Sequence, residues 1–490
     1  MYTLLLILIP IVSGFIIWTA PQALSRKIAL ISSLVSIAMS AFVLSQFHPD
    51  GGVQFSIDEP WVRMLGIRFH IGMDGISMLM VLLSNILMPF IILSTAHDQY
   101  KESHLLYGLM MIMQGAMNGV FVSMDMFLYY IFWELALIPA YFLVLWWGKG
   151  EARKITFKFF IYTLFGSLFM LVAIIWLSLQ SHTPTTDIAA VYRLQIPADV
   201  QGYIFFAFML AYAIKIPVFP FHTWQPSTYT AAPSPATMLL SGVMLKMGLY
   251  SIIRWVIPVV PQAVEQYDTL IMVLAAIGVL YASAIAWMQK DIKTLFAYSS
   301  IAHVGLITAG ILTVSASGLQ GSMLQMFAHG INAVALFYVA QILYRHYDTH
   351  SISNMGGIRN QAPLFAGLFL VVMLASVALP LTNAFPGEFM LLNAVFQMHP
   401  WLCLLAGSGV ILGAVYMFGA YKHVMLGEAT GKSTSFPEVK GIDKYALIVI
   451  MLLIFAFGLF PQAITHITEH SVQEIILQFQ NKISATTINS

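Results

Sequence analysis

The chain has 490 residues, of which 59% are hydrophobic and 9% charged, with a mean hydropathy of +0.83. A soluble domain carries about 25% charged residues, so this composition excludes one and predicts an all-α polytopic membrane protein. The formal net charge of +1 gives no basis for nucleic-acid binding. The single cysteine, Cys403, excludes a disulfide framework or a cysteine-ligated iron–sulfur cluster held by this chain alone.

A helix needs about 20 mostly apolar residues to cross a bilayer. The N-terminal MYTLLLILIPIVSGFIIW lacks the basic flank and small-residue cleavage site of a signal peptide, so it reads as the first span. About fourteen spans are expected, near 1–20, 28–46, 74–95, 105–123, 126–147, 158–180, 202–221, 234–257, 269–288, 293–313, 320–344, 361–397, 402–424 and 445–467. The seventh is interrupted by IKIPVFP. The twelfth is too long for one crossing and is interrupted by LPLTNAFPGE. Of the basic residues outside the spans, fifteen fall in odd-numbered loops, Lys293 and Arg345 among them, and four in even ones: Arg63, Arg68, Arg193 and Arg254. Lys482 is assigned to a tail. The bias places odd loops on the negative side and both termini on the positive, periplasmic side.

Few ionisable groups lie inside spans, and each is costly there, about 2.5–3.5 kcal/mol for a charge near the bilayer centre. In chain order they are Glu134 in the fifth span, Lys215 in the seventh, Lys246 in the eighth, His303 in the tenth, His329 in the eleventh and Glu388 in the twelfth. Asp74 and Asp125 sit at span edges and carry less information. Pro217 and Pro220 break the seventh span; Pro380 and Pro386 break the twelfth. A broken helix with a charge near the end of each half suggests duplication. The proposed divisions are 1–100, a first five-helix repeat 101–257, a second 258–425, and 426–490. Five helices is an odd number, so the two repeats would be inverted, and paired interrupted segments point to an ion site.

Pro217 should leave the carbonyl of Ala213 without its helical donor, and Pro220 that of Ile216, so freed carbonyls and water can solvate the Lys215 ammonium. The alternative is a plain kink whose lysine fills a packing defect. Glu134 is the expected counter-ion of Lys215: at ~4 Å the attraction is about 4 kcal/mol for an effective dielectric near 20, enough for a small separation to eject a proton. A static salt bridge is the other reading. Lys246 has small neighbours, Ser241, Gly242 and Gly248, that leave room for water; snorkelling to an interface is the alternative. His303 and His329 suit a proton relay because imidazole titrates near neutrality, although buried histidines are often only hydrogen-bonded. Asn332, one turn after His329, is expected to orient it. Glu388 reads as a terminal proton group or as a residue complementing the start of a half-helix. GKGEAR at 148–153 lacks phosphate-loop spacing, no HExxH is present, and no nucleotide or flavin signature occurs.

WELALIP, AIKIPVFPFHTW, SGVMLKMG, QKDIKTLFAYSSIAHVG, FAHGIN and PGEF, in this order over about residues 1–470, resemble the antiporter-like membrane subunits of proton-pumping NADH–quinone oxidoreductase, respiratory complex I. Multisubunit cation/proton antiporters and membrane-bound hydrogenase subunits are relatives of that family. Two of its three antiporter-like chains carry lysine at the second break and one carries glutamate, so Glu388 implies the glutamate branch. The resemblance implies that Glu134 and Lys215 form a charge pair, Lys246 a central relay lysine, His303 and His329 a bridge, and Glu388 the terminus. It also implies no cofactor or metal in this chain. FMN, iron–sulfur clusters and quinone would sit in partner subunits, with the two other antiporter-like chains as neighbours and a bacterial inner membrane as the setting. One stretch departs. Where the family usually reads Leu-Pro-Asp-Ala-His-x-Glu-Ala-Pro, this chain reads QPSTYTAAP over 225–233, without the aspartate, histidine and glutamate.

The expected function is proton translocation driven by quinone reduction in neighbouring subunits. A gradient-driven cation/proton antiporter subunit and a non-pumping scaffold are the alternatives. Against the scaffold stands the cost of burying Glu134, Lys215, Lys246 and Glu388, on the order of 12 kcal/mol at ~3 kcal/mol each.

Overall fold

Apolar runs of 18 to 32 residues have one stable backbone solution in lipid, the helix, because no water is present to satisfy free N–H and C=O groups. The computed structural model describes residues 1–181, 183–429 and 431–489. The chain forms α1 (Tyr2–Thr19) and α2 (Gln22–Ser45), then a hairpin of β1 (Gln54–Val62) and β2 (Ile67–Met73), then α3 (Gly75–Leu93), α4 (Ser103–Val122), α5 (Met126–Trp147) and α6 (Ala152–Ser178). The short α7 (Ile188–Arg193) precedes α8 (Ala198–Lys215) and α9 (Gln225–Ala231). There follow α10 (Ser234–Val256), α11 (Pro261–Trp287), α12 (Ile292–Leu312), α13 (Ala316–Tyr347), α14 (Pro363–Ser376), α15 (Ala384–Met398), α16 (Pro400–Leu426), α17 (Gly441–Leu459) and α18 (Gln462–Asn489).

Twelve of these helices are long and apolar enough to cross a membrane. The two missing from the expected fourteen are the broken ones: α8 stops at Lys215, and the long twelfth segment splits into α14 and α15. A count of fourteen is reached only by taking each broken segment as one crossing. Further expectations are corrected. The loop before α3 is an antiparallel hairpin with Asp58 opposite His70, the one sheet among the described residues. The last expected span, 445–467, is the end of α17, a break at Phe460 and Pro461, and the start of α18. Lys482 lies not in a tail but in α18, which packs against α3 and α13. Arg254 is inside α10 and 3% exposed, not in a loop. Lys293 and Arg345 are helical too, in the first turn of α12 and the last turn of α13.

Aspartates start several spans. Asp74 accepts from Ser77 N at 3.0 Å, Asp125 from Phe127 N and Leu128 N at 2.9 and 3.0 Å, and Asp291 from Thr294 N at 2.8 Å. Each satisfies amides that the helix itself leaves free. Burial is graded across the bundle. The windows of α10 and α13 are buried along their whole length, whereas α1, α2, α16 and α17 are mostly outward-facing. Ionisable groups can therefore sit on α10 and α13 without meeting lipid.

The hairpin is latched outside the spans by His70, whose Nδ1 lies 2.5 Å from Asp187 Oδ2 and whose Nε2 lies 3.1 Å from Ser56 Oγ. Burial lowers the His70 pKa, but the hydrogen bond and charge of Asp187 outweigh it and hold the imidazole above its ordinary 6.5. Burial likewise raises the Asp187 pKa, and the His70 contact outweighs it and holds the carboxyl below 3.8. The histidine term is complete below its unfolded pKa and is lost as pH rises through the raised folded value. The aspartate term is complete above its unfolded pKa and is lost as pH falls through the lowered one. The latch should thus be tightest between about pH 4 and 6.5. Hydrogen exchange of the hairpin amides, taken as a ratio to His70→Gln at each pH, should show protection that declines from pH 6 toward pH 9. A flat ratio would refute the latch.

Candidate functional site

Lys246 owes its placement to a wide turn. Residues Leu240–Met244 form a π-helical turn in which the N–H of Leu245 reaches the carbonyl of Leu240. Such turns rotate the following residues relative to a regular helix and recur at functional sites. The Lys246 ammonium then donates to the Ser241 carbonyl at 2.6 Å and to His329 Nδ1 at 2.7 Å. With Nδ1 accepting, Nε2 carries the imidazole proton and donates to Ser300 Oγ at 3.1 Å. A proton moving along the Lys246–His329 bond leaves a neutral amine facing an imidazolium, with no large motion required.

The His303 ring lies 5.9 Å from that of His329, centroid to centroid. A cavity of about 20 Å³ lined by both histidines, Ser300, Gln325 and Asn332 adjoins the gap, room for one water. Beyond it, His303 Nδ1 lies 3.1 Å from Glu388 Oε1. A second cavity of about 10 Å³ is lined by His303, Glu388 and Tyr416, and the Tyr416 hydroxyl donates to Ser299 Oγ at 2.9 Å. Four of the six expected residues, Lys246, His329, His303 and Glu388, thus form one file. Lys246, His329 and Glu388 are each no more than 6% exposed.

The other two stand apart. Glu134 and Lys215 form no ion pair or hydrogen bond with each other; their charges interact only across space. Lys215 Nζ rests 4.9 Å from the centre of the Trp133 ring, a cation–π contact in place of the expected contact with the carboxylate. Of the two carbonyls expected to solvate this lysine, that of Ala213 is otherwise engaged, accepting from Val218 N at 2.9 Å. Asn332 is also corrected: its Nδ2 donates to Ala375 O at 3.1 Å, anchoring the end of α14, and Ser300 orients His329 in its stead.

At the second break, Pro380 lies in the gap between α14 and α15, whereas Pro386 falls in the first turn of α15, where its missing N–H costs nothing. Pro386 therefore starts a helix and does not break one. Two glycines let neighbours close on this region. A Cβ on Gly387 would lie 2.8 Å from Gln325 N, and one on Gly458 would lie 2.2 Å from Leu381 O. Glu388 is thereby pressed toward α12 and α13.

Residues 123–413 match the family described as NADH:quinone oxidoreductase/Mrp antiporter, TM. Subunit M of the NADH-quinone oxidoreductase of Rickettsia prowazekii (strain Madrid E) is 35% identical over 93% of this chain and 93% of its own length. Chain 4 of the NADH-ubiquinone oxidoreductase of Marchantia polymorpha is 32% identical over 96% of each. The chain belongs to the subunit M family of NADH-quinone oxidoreductases. A chain of respiratory complex I from Thermus thermophilus with bound NADH shares the fold, with a TM-score of 0.90, 28% identity, and coverage of 98% of this chain and 100% of that one. Subunit M membership fits the glutamate, rather than lysine, at position 388.

Several polar groups of this family member escaped the sequence reading. Ser299 and Ser300 were not singled out. Asp74 and Arg254, each at the edge of its span, form a buried ion pair: Arg254 Nη2 donates to both carboxylate oxygens, at 2.7 and 2.6 Å. Lys293, counted as a loop charge, is 2% exposed and donates to Ala232 O at 2.6 Å. An arginine or lysine within a turn of a span edge was the available signal.

Proposed function

We propose that this chain translocates protons as a membrane-arm subunit of an NADH-quinone oxidoreductase in a bacterial inner membrane. Redox energy reaches it from neighbouring subunits that hold FMN, iron–sulfur clusters and quinone, with the two other antiporter-like chains beside it. The observation that carries this reading is the file of four titratable side chains, Lys246–His329–His303–Glu388, which starts on the wholly buried α10 and α13 and ends on α12 and α15. A scaffold has no use for them, and each is expensive in lipid. In the proposed cycle Lys246 takes a proton, His329 and His303 pass it on through Ser300 and a water, and Glu388 releases it toward the positive side, where both termini lie. Glu134 and Lys215, held apart in this state, act as the driving pair: their approach or separation changes the field at Lys246. The two broken helices belong to two inverted repeats, 101–257 and 258–425.

Glu388→Gln keeps the size and the hydrogen bond to His303 but cannot cycle a proton. Lys215→Met removes the driving charge. In proteoliposomes holding the whole assembly, each should lower the number of protons moved per electron pair, with the assembly intact. Full stoichiometry in both would sink the relay. Proton exchange driven by a sodium gradient, without NADH, would point to an antiporter.

A further inference from the structure

Lys293 is a buried lysine that the relay does not use. It lies at the floor of a funnel of about 830 Å³ at the end of the bundle that carries the lysine-rich loops; Lys149, Ser234, Gln341, Tyr344 and His350 also line it. The next feature inward on α12 is Phe296, three residues on, and then Ser300, seven residues on. Residues at this spacing share one helix face. Ser300 holds His329 and lines the relay cavity. On α13 a facing stripe runs from the funnel to the same cavity: Tyr344 and Gln341 line the funnel, and Phe337, Ala333 and His329 line the cavity. Two polar spaces thus lie on one line between α12 and α13, about 10 Å apart by helix rise from Lys293 to Ser300.

Aromatic rings separate them. Phe296 meets Phe337 edge-on with centroids 6.1 Å apart, and Phe337 meets Tyr229 of α9 edge-on at 6.0 Å. All three are at most 2% exposed. An apolar constriction between two polar spaces excludes water, and with it protons, until its rings part. On the funnel side of these rings, Lys293 donates to a single carbonyl, Ala232 O, in the link between α9 and α10. That link belongs to the stretch QPSTYTAAP, which offers the lysine no carboxylate.

We propose that Lys293 is the intake group of a direct route from the funnel to the His329–Ser300 cavity, and that Phe296, Phe337 and Tyr229 form its plug. This rests on the relay reading for its destination, though not for its own test. The route enters the second half of the chain without passing Lys215. No bond is made or broken besides proton transfer: Lys293 hands a proton inward when the plug parts and regains one from funnel water.

The test is passive proton leak into proteoliposomes holding the whole assembly, without NADH, after an imposed pH step. Phe296→Ala or Phe337→Ala should raise the leak about tenfold or more, tenfold being a barrier lowered by about 1.4 kcal/mol. Phe296→Leu, which keeps the bulk, should stay tight and controls for misfolding. Adding Lys293→Met to Phe337→Ala should cancel the increase, and Lys293→Arg should not restore it, because arginine does not give up its proton. Unchanged leak in both alanine variants of an intact assembly would overturn the plug. Leak indifferent to Lys293→Met would overturn the intake role. Failure of the relay is separable: Lys246→Met would then pump normally whether or not the plug variants leak.

Discussion

Lys246→Met is expected to abolish proton translocation by this chain while leaving the protein folded and assembled. The stability side nearly balances. Removing a buried ammonium relieves about 2.5–3.5 kcal/mol on insertion scales. Leaving His329 Nδ1 without a donor costs about 1–3 kcal/mol. The difference is too small to unfold a bundle this large. The functional side does not balance, because Lys246 is the first member of the file and the donor to His329. Protons pumped per electron pair should fall by this chain's whole share. NADH–quinone turnover should fall with it, on the order of tenfold, if the stroke is tightly coupled. Lys246→Arg sharpens the test. It preserves a positive charge at the site but does not deprotonate, so it should fail to pump as well. Pumping retained by the arginine variant would mean that the site needs a fixed charge, and not a proton that comes and goes.

Asp74→Asn should be the most destabilising single change outside the file. Asp74 holds the Arg254 guanidinium through both carboxylate oxygens and caps α3 through Ser77 N. Arg254 also donates to the Tyr250 hydroxyl at 3.1 Å and to Ser77 Oγ at 3.3 Å. Both charged side chains are at most 5% exposed. Removing one partner leaves an uncompensated buried charge, at a cost of about 3–5 kcal/mol. Thermal unfolding in detergent and the yield of assembled complex should both drop. The paired change Asp74→Asn with Arg254→Met should recover most of the loss, because replacing both charges of a buried pair is often close to neutral. If the double variant were as unstable as the single one, the damage would lie in the cap of α3 and not in the stranded arginine.

The hydropathy of the chain was enough to establish a multi-pass helical protein, the order of its spans and the places where two of them break. Depth in the membrane is one-dimensional and is written in the spacing of charges along each apolar run. It located Lys215, Lys246, His303, His329 and Glu388 correctly as buried or nearly so. The motifs were also sufficient to indicate the family, since their residue types and order are read directly.

Which groups meet was a different matter. Glu134 and Lys215 seemed natural partners by charge, yet the break around Lys215 turns its amine onto Trp133. Lys246 was expected to meet water among small neighbours, yet the π turn before it aims it at His329, 83 residues away. Asp74 was read as an uninformative span edge and Arg254 as a loop charge, yet the two, 180 residues apart, pair. Lys293 passed for a loop charge until the packing of α9 against α12 buried it. The physical reason is common to all four. Sequence conveys how far along a helix a residue lies, but the direction its side chain points around the axis, and the helix it faces there, depend on packing between segments distant in the chain. Tight contacts such as Gly387 on Gln325 settle that direction, and a local irregularity such as the π turn at Leu240–Met244 resets it. The inventory of buried titratable groups was thus carried by residue type and depth, and their connection into a file by the folding of α10, α12, α13 and α15 against one another.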